Sequence, residues 1–143
     1  MLSRLIYASR ETRQFANDDI DQILAASRRN NLKDGVTGML CHGDGRFLQY
    51  LEGDKTAVQS IYDRIAGDER HTDVILIEQV NAERRIFGDW SMGFVDVNDM
   101  LTNVTLQEAG RMDEFHPEKL DAATAMQLIK NLKTNLSGQV IID

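Results

Sequence analysis

The sequence predicts an α+β fold, a mixed sheet in βαββαβ order with one added strand and two helices on one face. Three observations carry this. Short apolar alternating runs recur along residues 2–95, two amphipathic helical stretches separate them, and Gly43-Asp44-Gly45 joins the second and third runs as a hairpin.

The elements follow in order. Residues 2–8 are rich in Leu, Ile and Tyr and read as a first strand. Asn17 is a plausible N-cap, with Asp18 and Asp19 favourably placed in the first helical turn. Ile20, Ile23, Leu24 and Ser27 then share a helical face, and residues 30–35 break the pattern. Residues 36–41 and 46–51 form the hairpin strands. Gly53-Asp54 opens a second helix with an apolar stripe of Val58, Ile61, Tyr62 and Ile65, closed by Gly67. Residues 74–80 read as a strongly apolar fourth strand and 85–95 as a fifth. This is the split βαβ arrangement of ferredoxin-like folds. The face under the two helices is the natural seat for a flat ligand.

Beyond Val95 the pattern turns helical. Residues 104–111 suit a short helix, and Pro117 suits the first turn of a longer one carrying Leu120, Ala125, Leu128, Ile129, Leu132 and Leu136 before Gly138. These segments are too few for a core of their own, so they are expected on the sheet or at a subunit interface. The expected division is residues 1–96 as the ligand-binding domain and 97–143 as a helical extension.

Composition limits the function. With 143 residues and a net charge of −7, the chain has room for a core but no cationic excess for nucleic acid or anionic membranes. One cysteine, Cys41, permits no internal disulfide and fits a reducing compartment. No apolar run is long enough to span a bilayer, and the N-terminus lacks the apolar stretch of a secretory signal, so a cytoplasmic location is expected. His42, His71 and His116 lack partners at metal-ligand spacing, and no familiar phosphate-loop or nucleophile motif is present, so no metal site and no enzyme activity are expected.

Two strand residues are unusual. Alternation puts Phe47, Gln49 and Leu51 on one face, where a carboxamide between apolar neighbours needs hydrogen-bond partners. The spacing equally allows Gln49 to face solvent, with Leu48 and Tyr50 inward. Tyr7 shares a face with Leu5 and Ser9, and a buried tyrosine ordinarily just finds a partner. Asn30 and Asn31 follow a helical stretch, where one can serve as a C-terminal cap while the other offers a donor and an acceptor to a ligand edge. Trp90, Met92 and Phe94 share a face if their strand is regular, and core packing is the default for such a stripe.

Together these stretches resemble the BLUF family, sensors of blue light using flavin. The segments that carry the resemblance are RLIYAS (4–9), NNLKDGVTGML (30–40), GRFLQYLEG (45–53), DRIAGDERH (63–71) and WSMGF (90–94), in order and at family spacing. The resemblance implies noncovalently held FAD, with FMN able to substitute because the domain grips chiefly the flavin and ribityl part. It implies that Tyr7 and Gln49 are the photochemical pair, and that Asn31 hydrogen-bonds the isoalloxazine ring. Asn30 is implied as a variable flavin contact, and Arg64, Asp68 and His71 as flanking residues. Ser9, Trp90 and Met92 are implied as the switchable surroundings of Gln49. Tyr7 would give an electron and then a proton, relayed by Gln49, leaving the flavin oxidised but absorbing further to the red. Short members signal through partners and often assemble into oligomers, so a downstream protein and a homo-oligomer are expected. Gly88 departs from the family, which often has proline there. A light-insensitive flavin oxidoreductase is the main rival reading.

Overall fold

The computed structural model describes residues 2–12, 18–88, 91–96 and 115–136. Its elements are β1 (Leu2–Glu11), α1 (Asp19–Asp34), β2 (Thr37–Gly43), β3 (Arg46–Asp54), α2 (Lys55–Ala66), β4 (His71–Asn81), β5 (Gly93–Asp96), a one-turn 3-10 helix (Pro117–Lys119) and α3 (Ala122–Leu136). The strands form one sheet in the order β4-β1-β3-β2-β5, with β5 parallel to β2 and the other pairings antiparallel. This is the expected ferredoxin-like sheet with its added strand.

The hairpin between β2 and β3 closes through Asp44 and Gly45, both with positive φ (51° and 72°), the backbone that matches the twist of the flanking strands. Behind it, Gly38 lies so close to β3 that an added Cβ would stand 2.0 Å from the Tyr50 carbonyl oxygen. At the other end of β3, the Asp54 side chain accepts from the Thr56 N–H at 3.2 Å and caps α2.

Alternation along the strands divides the core into two layers. On one face Leu5, Tyr7, Phe47 and Leu51 pack against Leu24 of α1 and Val58 and Ile61 of α2. On the other, Ile6, Leu48 and Tyr50 pack against Phe87 and against Leu128, Ile129 and Leu132 of α3. Each of these three α3 side chains is fully buried, which stabilises the packing by about 2 kcal/mol apiece. Both faces of the sheet are therefore covered, and α3 packs on the sheet rather than standing apart.

Four expectations change. Asn30 and Asn31 do not end α1: the helix continues through Asp34, and Gly35 caps it with φ 69°, its N–H donating to the Asn31 carbonyl. The fifth strand does not span 85–95 but only Gly93–Asp96, because other groups capture the backbone before it, as described below. β4 is an edge strand, so Ile75, Leu76 and Val80 are 41–43% exposed despite their apolar character. Pro117 starts a separate 3-10 turn rather than the long helix. The expected cap Asn17, the helix over 104–111, Trp90 and Gly138 lie outside the described residues.

Candidate functional site

A cleft of about 140 Å³ opens between α1 and α2. Asn30 and Asn31 line it from α1 and Arg64 from α2, while Asp68 and His71 close its end at the start of β4. Five residues singled out from the sequence thus meet around one cavity. Ile23, Ile61 and Ile65 give it apolar walls. The helical periodicity of α1 and α2 places these residues, since one edge of each apolar stripe and the polar row adjoining it meet at the cleft.

A buried chain of hydrogen-bonded side chains runs through the core layer that Ile61 of the cleft wall also joins. Tyr7 and Gln49 are direct partners in the β1–β3 register, and the Tyr7 hydroxyl donates to Gln49 Oε1. Gln49 Nε2 donates in turn to Met92 Sδ at 3.3 Å. Gln49 is 2% exposed, so the solvent-facing alternative is overturned. Register shifts on the β4 side flank Tyr7, between Ile6 and Tyr7 and again between Ala8 and Arg10. Such irregularities re-aim side chains next to sites. Burial pushes the Tyr7 phenol far above its ordinary range, and the charges of Tyr62 and Asp68 add to the shift. The phenol therefore stays protonated and is a donor in its resting state.

Two hydrogen bonds tie α1 to the chain entering β5. Asn31, 1% exposed, donates from Nδ2 to the Ser91 carbonyl at 2.8 Å, and Arg28 donates to the Met92 carbonyl at 3.1 Å. Ser9 meets His71 rather than Gln49, with Oγ 3.0 Å from Nδ1. The His71 ring packs tilted against Phe47, with ring centroids 4.7 Å apart, and burial lowers its pKa below the ordinary value. Arg70 reaches both oxygens of Asp68 and holds that carboxyl below its usual range, chiefly through the side-chain hydrogen bond.

The sequence reading missed Arg70, Arg28 and Ser91. Arg70 had a visible signal: a cation two residues after Asp68, in the same segment. Ser91 had none, because it contributes only its carbonyl. Cys41 lies outside the site, fully buried, with its thiol pushed up to about 12 by burial.

The residues fit a flat aromatic ligand with a polar edge. Apolar walls suit ring faces, and the carboxamides of Asn30 and Asn31 each offer donors and an acceptor to an edge of carbonyls and ring nitrogens. Asn31 Nδ2 spends one of its two hydrogens on Ser91 and keeps the other.

Comparison with known proteins agrees with this geometry. The family described as BLUF, sensors of blue-light using FAD, matches residues 2–93. The chain is 34% identical over 108 residues (75% of its length) to the photoactivated adenylate cyclase subunit beta of Euglena gracilis, of which the match spans 13%. It is 32% identical over 97 residues (68%) to the blue light- and temperature-regulated antirepressor BluF of Escherichia coli (strain K12), covering 24% of that protein. The chain therefore spans only a small part of these curated relatives. Among solved structures, the BlsA photo-activated state is similar with a TM-score of 0.82 and 27% identity, covering 92% of this chain and 94% of that one. The dark-state BLUF protein BlrB is similar with a TM-score of 0.75 and 29% identity, covering 94% and 97%.

Proposed function

Because this chain belongs to the BLUF family of blue-light sensors using FAD, we propose that it is a blue-light photoreceptor holding FAD in the cleft between α1 and α2. The observation that carries the reading is the buried chain Tyr7–Gln49–Met92, whose Tyr7 and Met92 share a core layer with Ile61 of the cleft wall. A structural glutamine needs partners, but it does not need a tyrosine and a thioether aligned through its two ends.

In this reading Asn31, Asn30 and Arg64 hold the flavin, with Asp68 and His71 at the end of the cleft. FMN would serve in place of FAD where the grip is on the flavin and ribityl part. Bound flavin supplies the absorption of blue light and the acceptor of an electron. The protein supplies a donor, Tyr7, whose phenol becomes a strong acid once oxidised. Its proton has one path along an existing hydrogen bond, onto Gln49 Oε1. If Gln49 returns with its oxygen and nitrogen exchanged, a carbonyl faces Met92 Sδ and has no hydrogen to give it. The Gln49–Met92 contact is lost, and β5 is released from one of its ties. That change biases the packing of β5 and α3, and the chain signals by population shift rather than by catalysis.

We assign residues 1–96 to the flavin-binding domain and 97–143 to an output extension; the chain works as a homo-oligomer in the cytoplasm and signals to a downstream protein. The photoactivated cyclase and the antirepressor among its relatives each join light to an output, which supports a receiver for this chain. Among the described residues no helix is long and apolar enough to cross a membrane. An absorption spectrum in the dark and under blue light tests the proposal. A flavin spectrum that shifts reversibly to the red supports it, whereas a flavin that only bleaches points to redox turnover and defeats it.

A further inference from the structure

Glu52 is 0% exposed and lies on the α3 face of β3, where burying a carboxylate is costly unless its oxygens are fully engaged. They are. Oε1 accepts from the Tyr50 hydroxyl at 3.1 Å and from the Ile86 N–H at 2.9 Å. Oε2 accepts from the Thr37 hydroxyl at 2.8 Å and from the Phe87 N–H at 2.7 Å. Two of these four donors are backbone groups of a segment that joins no strand. Arg85 closes the arrangement from the exposed side, donating to the Gly35 carbonyl at 2.7 Å, the Thr37 hydroxyl at 3.0 Å and the Glu52 carbonyl at 3.3 Å.

The clamped segment leads in two directions. Through Gly88 it runs into Ser91 and Met92, the thioether that Gln49 contacts. Through its own side chain it reaches α3: the Phe87 ring is fully buried, lies 5.2 Å from the Tyr50 ring and has the Lys133 ammonium 6.0 Å above it. Phe87 also belongs to the core layer of Leu128, Ile129 and Leu132.

We propose that Glu52 is a positioning residue, whose carboxylate holds residues 85–87 so that Met92 is set against Gln49 and Phe87 against α3. The proposal deepens the photoreceptor reading and rests on it for the Met92 half only. An apolar residue could fill this space only by leaving the Ile86 and Phe87 N–H groups without their acceptors. It could not hold two backbone N–H groups at fixed places without a β-ladder.

The test compares Glu52→Gln with wild type in the full chain loaded with FAD. The amide keeps the shape but turns an NH2 group toward donors, so at least one backbone bond is lost. The red shift should keep its size, since Tyr7 and Gln49 are intact. Dark recovery should be faster by about tenfold, the change expected when one hydrogen bond to a charged group is lost. Backbone amide exchange at Ile86, Phe87 and residues 122–136 should rise by a similar factor in the dark. Wild-type recovery beside raised exchange would show a merely structural role and overturn the proposal. If Glu52→Gln does not fold, Arg85→Met loosens the clamp from its exposed side. It should accelerate recovery in the same sense, and unchanged recovery in that folded variant overturns the proposal. A wild-type protein with no reversible shift would sink the photoreceptor reading instead. The exchange comparison needs no light and would then decide the clamp alone, with unchanged protection at Ile86, Phe87 and α3 counting against it.

Discussion

Asn31 on α1 and Ser91 just before β5 are sixty positions apart in sequence and share a buried hydrogen bond of 2.8 Å. The same side chain forms part of the cleft wall. The cleft wall and the approach to β5 therefore meet in one carboxamide.

Asn31→Ala should weaken flavin retention and loosen the approach to β5 together. Losing the buried bond and exposing the Ser91 carbonyl to an apolar neighbour costs about 1–3 kcal/mol. Flavin content after purification, measured against protein, should fall well below wild type. Equal content would show that Asn31 is dispensable for binding.

Tyr7→Phe should retain flavin and lose the red-shifted state. The variant leaves Gln49 Oε1 without its donor, so a stability loss of about 1 kcal/mol is expected alongside. A normal reversible red shift in this variant would remove Tyr7 from the photochemistry.

Gly38→Ala tests the fold rather than the site. Its Cβ would meet a backbone carbonyl oxygen at 2.0 Å, and neither β2 nor β3 can retreat without breaking the ladder. Overpacking of this kind costs about 1–3 kcal/mol or more. A thermal midpoint equal to wild type would contradict the close approach of these strands.

Acidification should destabilise the protein across the ordinary histidine range. His71 has a folded pKa below its unfolded value of about 6.5, because burial disfavours its charged form. The unfolded chain then binds more protons, so stability falls as the pH drops through the unfolded pKa toward the folded one. Asp68, held low by Arg70, acts in the same sense at more acid pH. Thermal midpoints measured from pH 7 downward should decline, and the decline near pH 6 should shrink in His71→Gln. An identical profile in that variant would remove His71 as the cause.

Much of this architecture was legible because period and punctuation agreed. The stripe of α2, the Asp54 cap and the Asp44-Gly45 turn all follow local rules that tertiary context left standing. The cleft residues were legible only through family resemblance, since nothing local distinguishes Asn31 from a capping asparagine. Its helix runs on because Gly35, not Asn, takes the left-handed position. The stretch 85–95 looks like a strand by composition, yet Glu52 takes the Ile86 and Phe87 N–H groups that a ladder would have used. Glu52 itself is illegible in the sequence for a related reason. Alternation assigns it the face opposite Gln49, and a lone glutamate there reads as solvent-facing until α3 is seen to cover that face.

The sheet is one chain thick between its two covered faces. Gln49 points to the cleft side while its covalent neighbours Leu48 and Tyr50 point to α3. Information need not travel around the molecule to leave it; it has only to pass through a single pleat. Thermodynamic reciprocity then applies in reverse. On the proposed reading, a receiver that grips α3 in one of its packings would also change how strongly the light-formed arrangement around Gln49 is favoured, so the sensor's memory would be set partly by whatever is listening to it.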